Sequence, residues 1–504
     1  MFVFFALLPI LALIVALLII KLPIRHAAGI SLISAVIAGM WIYQVSLTGI
    51  LISSGKGLAL ALFVLMIIWS AIFLYNLVSE AGSIRVIDRN ISIFIKSPFE
   101  QFLLLTWLLA PFMQGVAGYG VPVIAVLPIL LSLGFEPVKA TAAILLGHSW
   151  SICLGSMGAP FYALEFVTNL PTRDLAVSMG IFVSVALFCT GVVTCAFYDG
   201  IKQVKSGLIY LIPVTCTMSI CLYLLADAEA LSFLGMATAL TGMITMLAIY
   251  FIRMGKSEKI VLYSDSLKLS EAILPYALIF GLSILFHILN LKPGFGFSFP
   301  GYVTGLDFIV APVENYSKIL YFKHPSFIIL FSFLIAALLY TKKGVVDGPI
   351  LKDVVKKTIK KCSSTTITLA FLLPMALIMT DSGMTAKLSE ATVAFSGAFY
   401  PVFSPFIGLL GNFITASSTN SNVIFGGFQE SVALQLSMSA AVMCGVQAVG
   451  ASIGAAIGPT TVLMGTAAAK LSGQERLIYK KNMLPTLMIT LVLGIANLII
   501  IGYF

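Results

Sequence analysis

The feature that most constrains this chain is a series of apolar stretches, each about as long as a bilayer is thick. A membrane-spanning helix needs about 20 apolar residues, and such stretches recur from one end of the 504-residue chain to the other. The chain is 60% hydrophobic and only 10% charged, which is too little charge to cover a soluble fold of this length. We therefore predict an all-α integral membrane protein, with residues 1–504 forming a single integrated domain.

The apolar runs predict a specific topology of about twelve transmembrane helices. We place them at residues 3–20, 27–45, 58–78, 138–165, 174–198, 207–226, 230–252, 271–290, 325–341, 363–385, 432–466 and 482–503. The first run has its basic flank, Lys21 and Arg25, on its C-terminal side, so we expect a retained helix and not a cleaved signal peptide. Both chain termini then face the outside.

Two further apolar segments, 100–133 and 391–429, are too long for one simple span and are rich in Gly, Pro, Ser, Thr and Asn. We predict that each is a re-entrant hairpin, which enters and leaves the membrane on the same side. With the helix that follows, which glycines interrupt, they define two regions, 100–170 and 391–470. This topology places most of the 29 Lys and Arg residues in cytoplasmic loops, as the positive-inside rule requires.

The net charge of +9 is explained by these loops, so we expect membrane lipids as partners and no nucleic acid. Residues 342–361 carry many of the lysines, with Leu351, Val354, Val355 and Ile359 on one helical face. This pattern predicts a cytoplasmic amphipathic linker on the membrane surface. A binding segment for a regulator is the alternative.

The two hairpin regions align with a constant offset of 300 residues. Residues 117–123 lie opposite 417–423, and the intervals Gly120–Gly158 and Asn420–Gly458 both span 38 residues. The topology makes the first hairpin enter from the cytoplasm and the second from outside, which is the inverted repeat of many secondary transporters. Broken helices inside a membrane are tolerated where they line a cavity, and their N-termini can hold a carboxylate.

Because we find no Lys or Arg well inside a predicted span, we expect an anionic substrate to be held largely by backbone amides and by hydroxyl and amide side chains. Six consecutive polar residues in the second hairpin are the first candidates: Ser417, Ser418, Thr419, Asn420, Ser421 and Asn422. Unpaired polar groups are expensive in lipid; an external loop tip is the alternative. In the first hairpin, Gly118, Tyr119 and Gly120 before Pro122 predict a tip, and helix packing through small residues is the alternative.

Two ionisable residues are candidates for proton coupling. His148 precedes the first glycine-broken helix, and histidine titrates nearest to cellular pH. Asp381 lies near the outer end of a predicted span, where a solvated carboxylate is the alternative. The seven cysteines lack CxxC spacing, and we find no HExxH, no P-loop, no paired haem histidines and no cluster of catalytic carboxylates. We therefore expect no metal, no cofactor and no enzymatic activity.

The segment LGNFITASSTNSNVIFGGFQ resembles the signature of the bacterial L-lactate permease family. GYGVPV, Leu133-Gly134-Phe135 and the later GSMGAP resemble the first-half motif of that family. The resemblance covers about residues 100 to 480. It implies a proton-coupled symporter of L-lactate, and also D-lactate or glycolate, in the cell inner membrane. It also implies a fold of the ion-transporter superfamily, in which a transport subdomain slides against a scaffold.

The resemblance also implies which residues bind the substrate. The matching positions are Gly118, Gly120, Pro122, Thr415, Ser417, Thr419, Ser421, Asn422 and Gln429. The chain departs from the family pattern at Ala117 and Val121, where threonines are usual, and at Ala416, Ser418 and Asn420, which replace a glycine, an asparagine and a serine. Sodium-coupled carboxylate or dicarboxylate symport is the alternative function, since similar hairpins in the superfamily bind sodium. The oligomeric state stays open, a homodimer included.

Overall fold

The computed structural model describes residues 2–116, 118, 120–168, 170–254 and 266–502, so the predicted hairpin residue Tyr119 lies outside the described residues. The chain is built almost wholly from helices. The first ten are α1 (Phe2–Ile14), α2 (Ile24–Trp41), α3 (Leu47–Glu80), α4 (Ser83–Phe94), α5 (Pro98–Leu103), α6 (Ala110–Val116), α7 (Val121–Ser132), α8 (Pro137–Gly147), α9 (Gly155–Thr168) and α10 (Thr172–Asp227).

The remaining ten helices complete the chain. They are α11 (Leu234–Met254), α12 (Leu269–Leu289), α13 (Pro325–Lys342), α14 (Gly348–Asp381), α15 (Met384–Ser396), α16 (Tyr400–Thr415), α17 (Ser418–Gln435), α18 (Ala440–Gly454), α19 (Pro459–Ala468) and α20 (Glu475–Ile500). Short π-helical turns at Val15–Ile19 and Leu104–Leu109, and 3₁₀ turns at Ser149–Leu154, Leu231–Phe233, Gly397–Phe399 and Ala455–Ile457, join some of them.

Among the described residues, 12 helices are long and apolar enough to cross a membrane. The prediction of an integral membrane protein is confirmed, and the number of candidate spans equals the predicted number. The predicted and observed sets of spans differ, however. Thr172–Asp227 counts once although we predicted two spans there, and Met384–Thr415 counts although part of it was assigned to the second hairpin.

Helix α10 is in fact two antiparallel helices. Its backbone is non-helical at Asp199 and Gly200, where the chain reverses. Arg173, at the start of α10, forms an ion pair with Asp227 at its end, with 2.5 Å between Nη2 and Oδ1. The two ends therefore meet, as expected for the two predicted spans 174–198 and 207–226.

Helices α3 and α14 pack against each other in opposite directions. Lys56 near the start of α3 contacts Asp381 at the end of α14, and Asn76 near the end of α3 donates to the Thr358 hydroxyl near the start of α14. Helices α2 and α13 pack beside this pair. We call α2, α3, α13 and α14 the long-helix group.

The region predicted as an amphipathic linker, 342–361, contributes the first turns of α14. This helix begins at Gly348 and continues without interruption to Asp381. Val354 is buried, whereas Val355 and Ile359 on the predicted apolar face are exposed. The segment thus joins the following span directly, because its buried face continues the buried face of that span.

A small β region between α12 and α13 was not part of the all-α expectation. Strand β1 (Gly294–Phe299) pairs antiparallel with β4 (Val313–Leu320), and β2 (Tyr302–Val303) pairs with β3 (Ile309–Val310). Tyr302 reaches from this region to the Ser53 hydroxyl on α3, at 2.8 Å. The β region therefore covers one end of the long-helix group.

Both glycine-rich segments contain the same order of elements. In the first, α5 and α6 lead to a break, and α7, α8, the 3₁₀ turn Ser149–Leu154 and α9 follow. In the second, α16 leads to a break, and α17, α18, the 3₁₀ turn Ala455–Ile457 and α19 follow. Packing in the second segment is very close: a Cβ added at Gly408 on α16 would lie 1.9 Å from the Gln447 carbonyl oxygen on α18.

Candidate functional site

The two glycine-rich segments, α5–α9 and α16–α19, are called the broken segments from here on. They meet at a cavity of about 280 Å³, which we call the central cavity. Its lining is Gln114, Gly120, Val123, His148, Ile152, Ser156, Pro160, Lys361, Asn412, Ala416, Ser417, Ser418, Thr419, Ala455, Thr460, Thr461 and Met464. Both segments contribute, and one further residue comes from the long-helix group. A cavity of this size suits a small molecule or ion.

Three helix N-termini lie at this cavity. Gly120 precedes α7, Ser417 caps α17, and Thr460 and Thr461 lie in the first turn of α19. The first N–H groups of a helix lack intrahelical acceptors and carry the positive end of the helix dipole. The central cavity is therefore electrostatically favourable for an anion.

In the first segment, the backbone at Gly118 is bonded to the break in α9. Ser156, Met157 and Gly158 all have left-handed backbones, with φ of 48°, 53° and 83°. The Ser156 hydroxyl accepts a hydrogen bond from the Gly118 backbone N–H at 2.9 Å. Gly118 therefore positions Ser156, whereas Gly120, with φ of 77°, itself lines the central cavity.

In the second segment, the break between α16 and α17 consists of a residue with a left-handed backbone followed by the N-cap of α17. Ala416 has φ of 55°, and the Ser417 hydroxyl accepts from the Asn420 backbone N–H at 3.3 Å. The Thr415 hydroxyl donates to the Gly411 carbonyl at 2.7 Å, which secures the end of α16. Of the predicted polar run, Ser417, Ser418 and Thr419 line the central cavity.

The other predicted residues of α17 lie outside the cavity lining and contact the surrounding protein. The Ser421 hydroxyl donates to the Gly408 carbonyl at 2.9 Å, and Asn422 Nδ2 donates to the Pro160 carbonyl at 2.9 Å. Gln429 Oε1 accepts from the Tyr400 hydroxyl at 2.8 Å. Asn420 is buried, with 6% of its surface exposed. The Asn422 bond joins the two broken segments directly.

His148 is buried and lines the central cavity. Its Nδ1 lies 2.5 Å from the Ile144 carbonyl oxygen. Because a carbonyl oxygen only accepts, Nδ1 carries a proton and the neutral ring keeps Nε2 as an acceptor. His148 can therefore take up a second proton at Nε2 without losing its existing hydrogen bond.

Asp381 has different surroundings from those we expected. It is buried, and its Oδ2 lies 3.2 Å from Lys56 Nζ and accepts a hydrogen bond from the Ser53 hydroxyl at 2.7 Å. Tyr302 bonds the same Ser53 hydroxyl, and burial raises the pKa of Tyr302 to about 12, so its hydroxyl stays protonated. The alternative of a solvated carboxylate is thus wrong, and Asp381 is not part of the central cavity lining.

Sequence reasoning missed two charged residues inside the helices. Lys56 lies in α3, nine positions after its start, and is 4% exposed. Lys361 lines the central cavity, and its Nζ lies 4.8 Å from the centre of the Tyr75 ring. The expectation that no Lys or Arg lies within a span was therefore wrong. The signal was the helical spacing of Val354, Thr358 and Lys361, which extends the buried face of the next span.

Five more polar lining residues were not among the predicted site residues: Gln114, Ser156, Asn412, Thr460 and Thr461. Asn412 Nδ2 donates to the Ser418 hydroxyl at 2.9 Å. Asn412 precedes the predicted polar run by five positions, so it is more than one helical turn from that run and was not grouped with it.

Comparison with known proteins shows the family of this chain. A family model described as L-lactate permease matches residues 3–504. The chain belongs to the L-lactate permease family. The predicted resemblance is thereby confirmed across nearly the whole chain, including the N-terminal helices that carried no recognised motif.

Several relatives within this family have named activities. An L-lactate permease of Streptococcus iniae is 26% identical over 450 residues, covering 86% of this chain and 91% of the relative. A glycolate permease of Escherichia coli (strain K12) is 23% identical over 534 residues, covering 98% and 94%. An L-lactate permease of the same strain is 23% identical over 525 residues, covering 97% and 94%.

Membership of the L-lactate permease family makes this chain a transporter and not an enzyme. Together with the 12 apolar helices, it identifies a multi-pass protein of the bacterial inner membrane. The substrate of such a permease is a small carboxylate.

Proposed function

We propose that this permease carries L-lactate and related small 2-hydroxy monocarboxylates, D-lactate and glycolate among them, by proton-coupled symport with alternating access. The observation that carries the proposal is the central cavity, where helix N-termini from both broken segments face one small space. In a member of the L-lactate permease family, such a space is suited to the carboxylate of the substrate. The named lactate and glycolate permeases among its relatives support 2-hydroxy acids as substrates.

The predicted inverted repeat supports alternating access. The two segments have the same order of helices and breaks, 300 positions apart, and the distribution of charge favours entry from opposite sides of the membrane. In our proposal, the broken segments form a transport subdomain that moves against the long-helix group as scaffold. Movement of this kind would expose the central cavity to each side in turn.

Proton coupling requires a group that changes its protonation between the two sides. We assign this role to His148, because it lines the cavity and its Nε2 is free to accept a proton in the neutral ring. The residues Gly120, Ser417, Ser418 and Thr419 are proposed to contact the substrate. The other predicted substrate-binding residues stay predictions: Gly118, Tyr119, Thr415, Asn420, Ser421, Asn422 and Gln429.

The decisive experiment is uptake of labelled lactate, glycolate and a dicarboxylate into proteoliposomes that contain the purified protein. A proton gradient and a sodium gradient are imposed separately. We expect accumulation of lactate and glycolate with the proton gradient alone. Accumulation that needs sodium would support the alternative, sodium-coupled carboxylate symport, and uptake of only the dicarboxylate would contradict the substrate proposed here.

A further inference from the structure

We propose that Lys361 and Asn412 recognise the two functional groups of a 2-hydroxy acid. The Lys361 ammonium binds the carboxylate, and Asn412 Oδ1 accepts a hydrogen bond from the 2-hydroxyl group. This inference rests on the proposed function and extends it, because neither residue was among the predicted substrate contacts. Both line the central cavity.

The case for Lys361 is its lack of a fixed counter-charge. A charged side chain within a membrane-spanning helix is costly unless it is paired or hydrated. Among the residues that the structure describes, no carboxylate forms an ion pair with Lys361, and none lines the central cavity. The Tyr75 ring, 4.8 Å from Nζ, stabilises the ammonium by a cation–π contact but brings no negative charge.

A mobile anion in the cavity supplies that missing charge. The helix N-termini favour the same sign of ligand, so the cation and the backbone amides reinforce each other. Lys361 comes from α14 in the long-helix group, whereas Ser417, Ser418 and Thr419 come from the second broken segment. A carboxylate bound by both is therefore held between two separate groups of helices.

The case for Asn412 is an unused acceptor. Its side chain is 1% exposed, and Nδ2 donates to the Ser418 hydroxyl at 2.9 Å. Among the described residues, Oδ1 is buried and has no hydrogen-bond partner. A buried acceptor without a donor is destabilising, and a hydroxyl group next to the substrate carboxylate is a donor of the required type.

The two roles make different predictions for different ligands. Propionate has the carboxylate of lactate but lacks the 2-hydroxyl, so it isolates the contribution of Lys361. Binding of lactate and of propionate to the purified full-length protein is measured by calorimetry for the unaltered chain and for Lys361→Met, Lys361→Arg and Asn412→Leu. Lys360→Met is the matched control, since it removes the same charge one position away on an exposed surface.

We expect Lys361→Met to weaken the binding of lactate and of propionate by about tenfold or more, because it removes a charge-assisted hydrogen bond common to both. The ratio of the two dissociation constants should stay unchanged. Lys361→Arg should retain most of the binding, and Lys360→Met should bind as the unaltered protein does. Asn412→Leu should weaken the binding of lactate about tenfold and leave the binding of propionate unchanged. The preference for lactate over propionate is then lost.

The inference is overturned for Lys361 if Lys361→Met binds both ligands normally, and for Asn412 if Asn412→Leu affects both ligands equally or neither. Thermal unfolding of each variant separates loss of binding from loss of fold, and Lys361→Gln, which also removes the charge, serves if Lys361→Met does not fold. Uptake by the unaltered protein tests the proposed function separately. If that protein accumulates lactate while the variants bind normally, only the present inference fails.

Discussion

At the scale of single residues, the two ionisable candidates for proton coupling differ in what compensates their charge. Asp381 already has a fixed partner, because Lys56 Nζ lies 3.2 Å from its Oδ2 within the protein interior. Among the described residues, the hydrogen-bond partner of the His148 ring is the Ile144 carbonyl at Nδ1, and the ring lines the central cavity. Its charge state can therefore respond to a bound anion, whereas the charge of Asp381 is compensated without one.

A substitution at His148 tests this assignment. His148→Gln should abolish accumulation of lactate driven by a pH gradient, since glutamine cannot carry the proton. It should preserve exchange between two lactate-loaded compartments, which needs no net proton transfer. His324→Gln is the matched control, because His324 is also buried but does not line the central cavity. Normal accumulation by His148→Gln would refute the assignment.

The buried ion pair should matter for stability. Asp381→Asn leaves Lys56 buried without its counter-charge, and we expect the free energy of unfolding to fall by about 3–5 kcal/mol. Replacing both partners together, Lys56→Met with Asp381→Leu, should recover most of that loss. Thermal unfolding in detergent measures both effects. If Asp381→Asn unfolds at the normal temperature but no longer accumulates lactate, the proton-coupling role passes to Asp381.

At the scale of elements, the breaks between helices decide where side chains meet. Ala416 adopts a left-handed backbone with φ of 55°, in which any residue except glycine is strained. The tip keeps this conformation because Ser417 caps α17 and Thr415 secures α16. The family resemblance implied a glycine at this position, which agrees with the left-handed backbone of Ala416.

Substitution of Ala416 should therefore change stability in opposite directions. Ala416→Gly should stabilise the protein by about 1 kcal/mol, because it removes the strain of a left-handed alanine. Ala416→Val should destabilise it, since a β-branched residue tolerates a positive φ least. Thermal unfolding without substrate is the measurement. A lower unfolding temperature for Ala416→Gly would show that strain at this tip is not significant.

Two neighbouring residues of α17 should give separable effects. Thr419 lines the central cavity, whereas Asn422 bonds the Pro160 carbonyl of the first broken segment. We expect Thr419→Val to weaken lactate binding about tenfold without a change in unfolding temperature. Asn422→Leu should lower the unfolding temperature as well as binding. If Thr419→Val lowers the unfolding temperature and Asn422→Leu weakens only binding, Thr419 has the structural role and Asn422 contacts the substrate.

At the scale of the whole molecule, the proposed mechanism requires access to one site from two sides. Ser417→Cys places a thiol at the central cavity, in a background where the exposed Cys216 is replaced by serine. A membrane-impermeant maleimide should label it in both right-side-out and inside-out vesicles, and lactate should slow the reaction. Lys470→Cys, in an exposed loop predicted to be cytoplasmic, should react only in inside-out vesicles.

Labelling of Ser417→Cys from one side only, unaffected by lactate, would contradict alternating access at this tip. It would instead support the loop-tip interpretation of the polar run. Equal labelling of Lys470→Cys in both preparations would show that the vesicles are not oriented, and the comparison is then repeated with sorted vesicles.

Much of the fold could be predicted because bilayer burial makes long apolar runs obligatory. The two halves of α10 and the breaks near Gly120 and Ala416 follow from local composition. The continuation of α14 through 348–361 could not be recognised, since its lysines resemble those of a surface helix. Their different environments become visible only in the packing against α3. Lys357 forms an ion pair with Glu80, whereas Lys361 lies over the Tyr75 ring.

The sequence by itself determined the membrane class and the family, because apolar length and motif spacing are properties of adjacent positions. The tertiary structure alone decided which polar groups share the central cavity. Lys361 and Asn412 are 51 positions apart and lie on different helices, and nothing local to either predicts their meeting. Packing also paired Lys56 with Asp381 across 325 positions, because a buried charge is stable only where the fold brings it a partner.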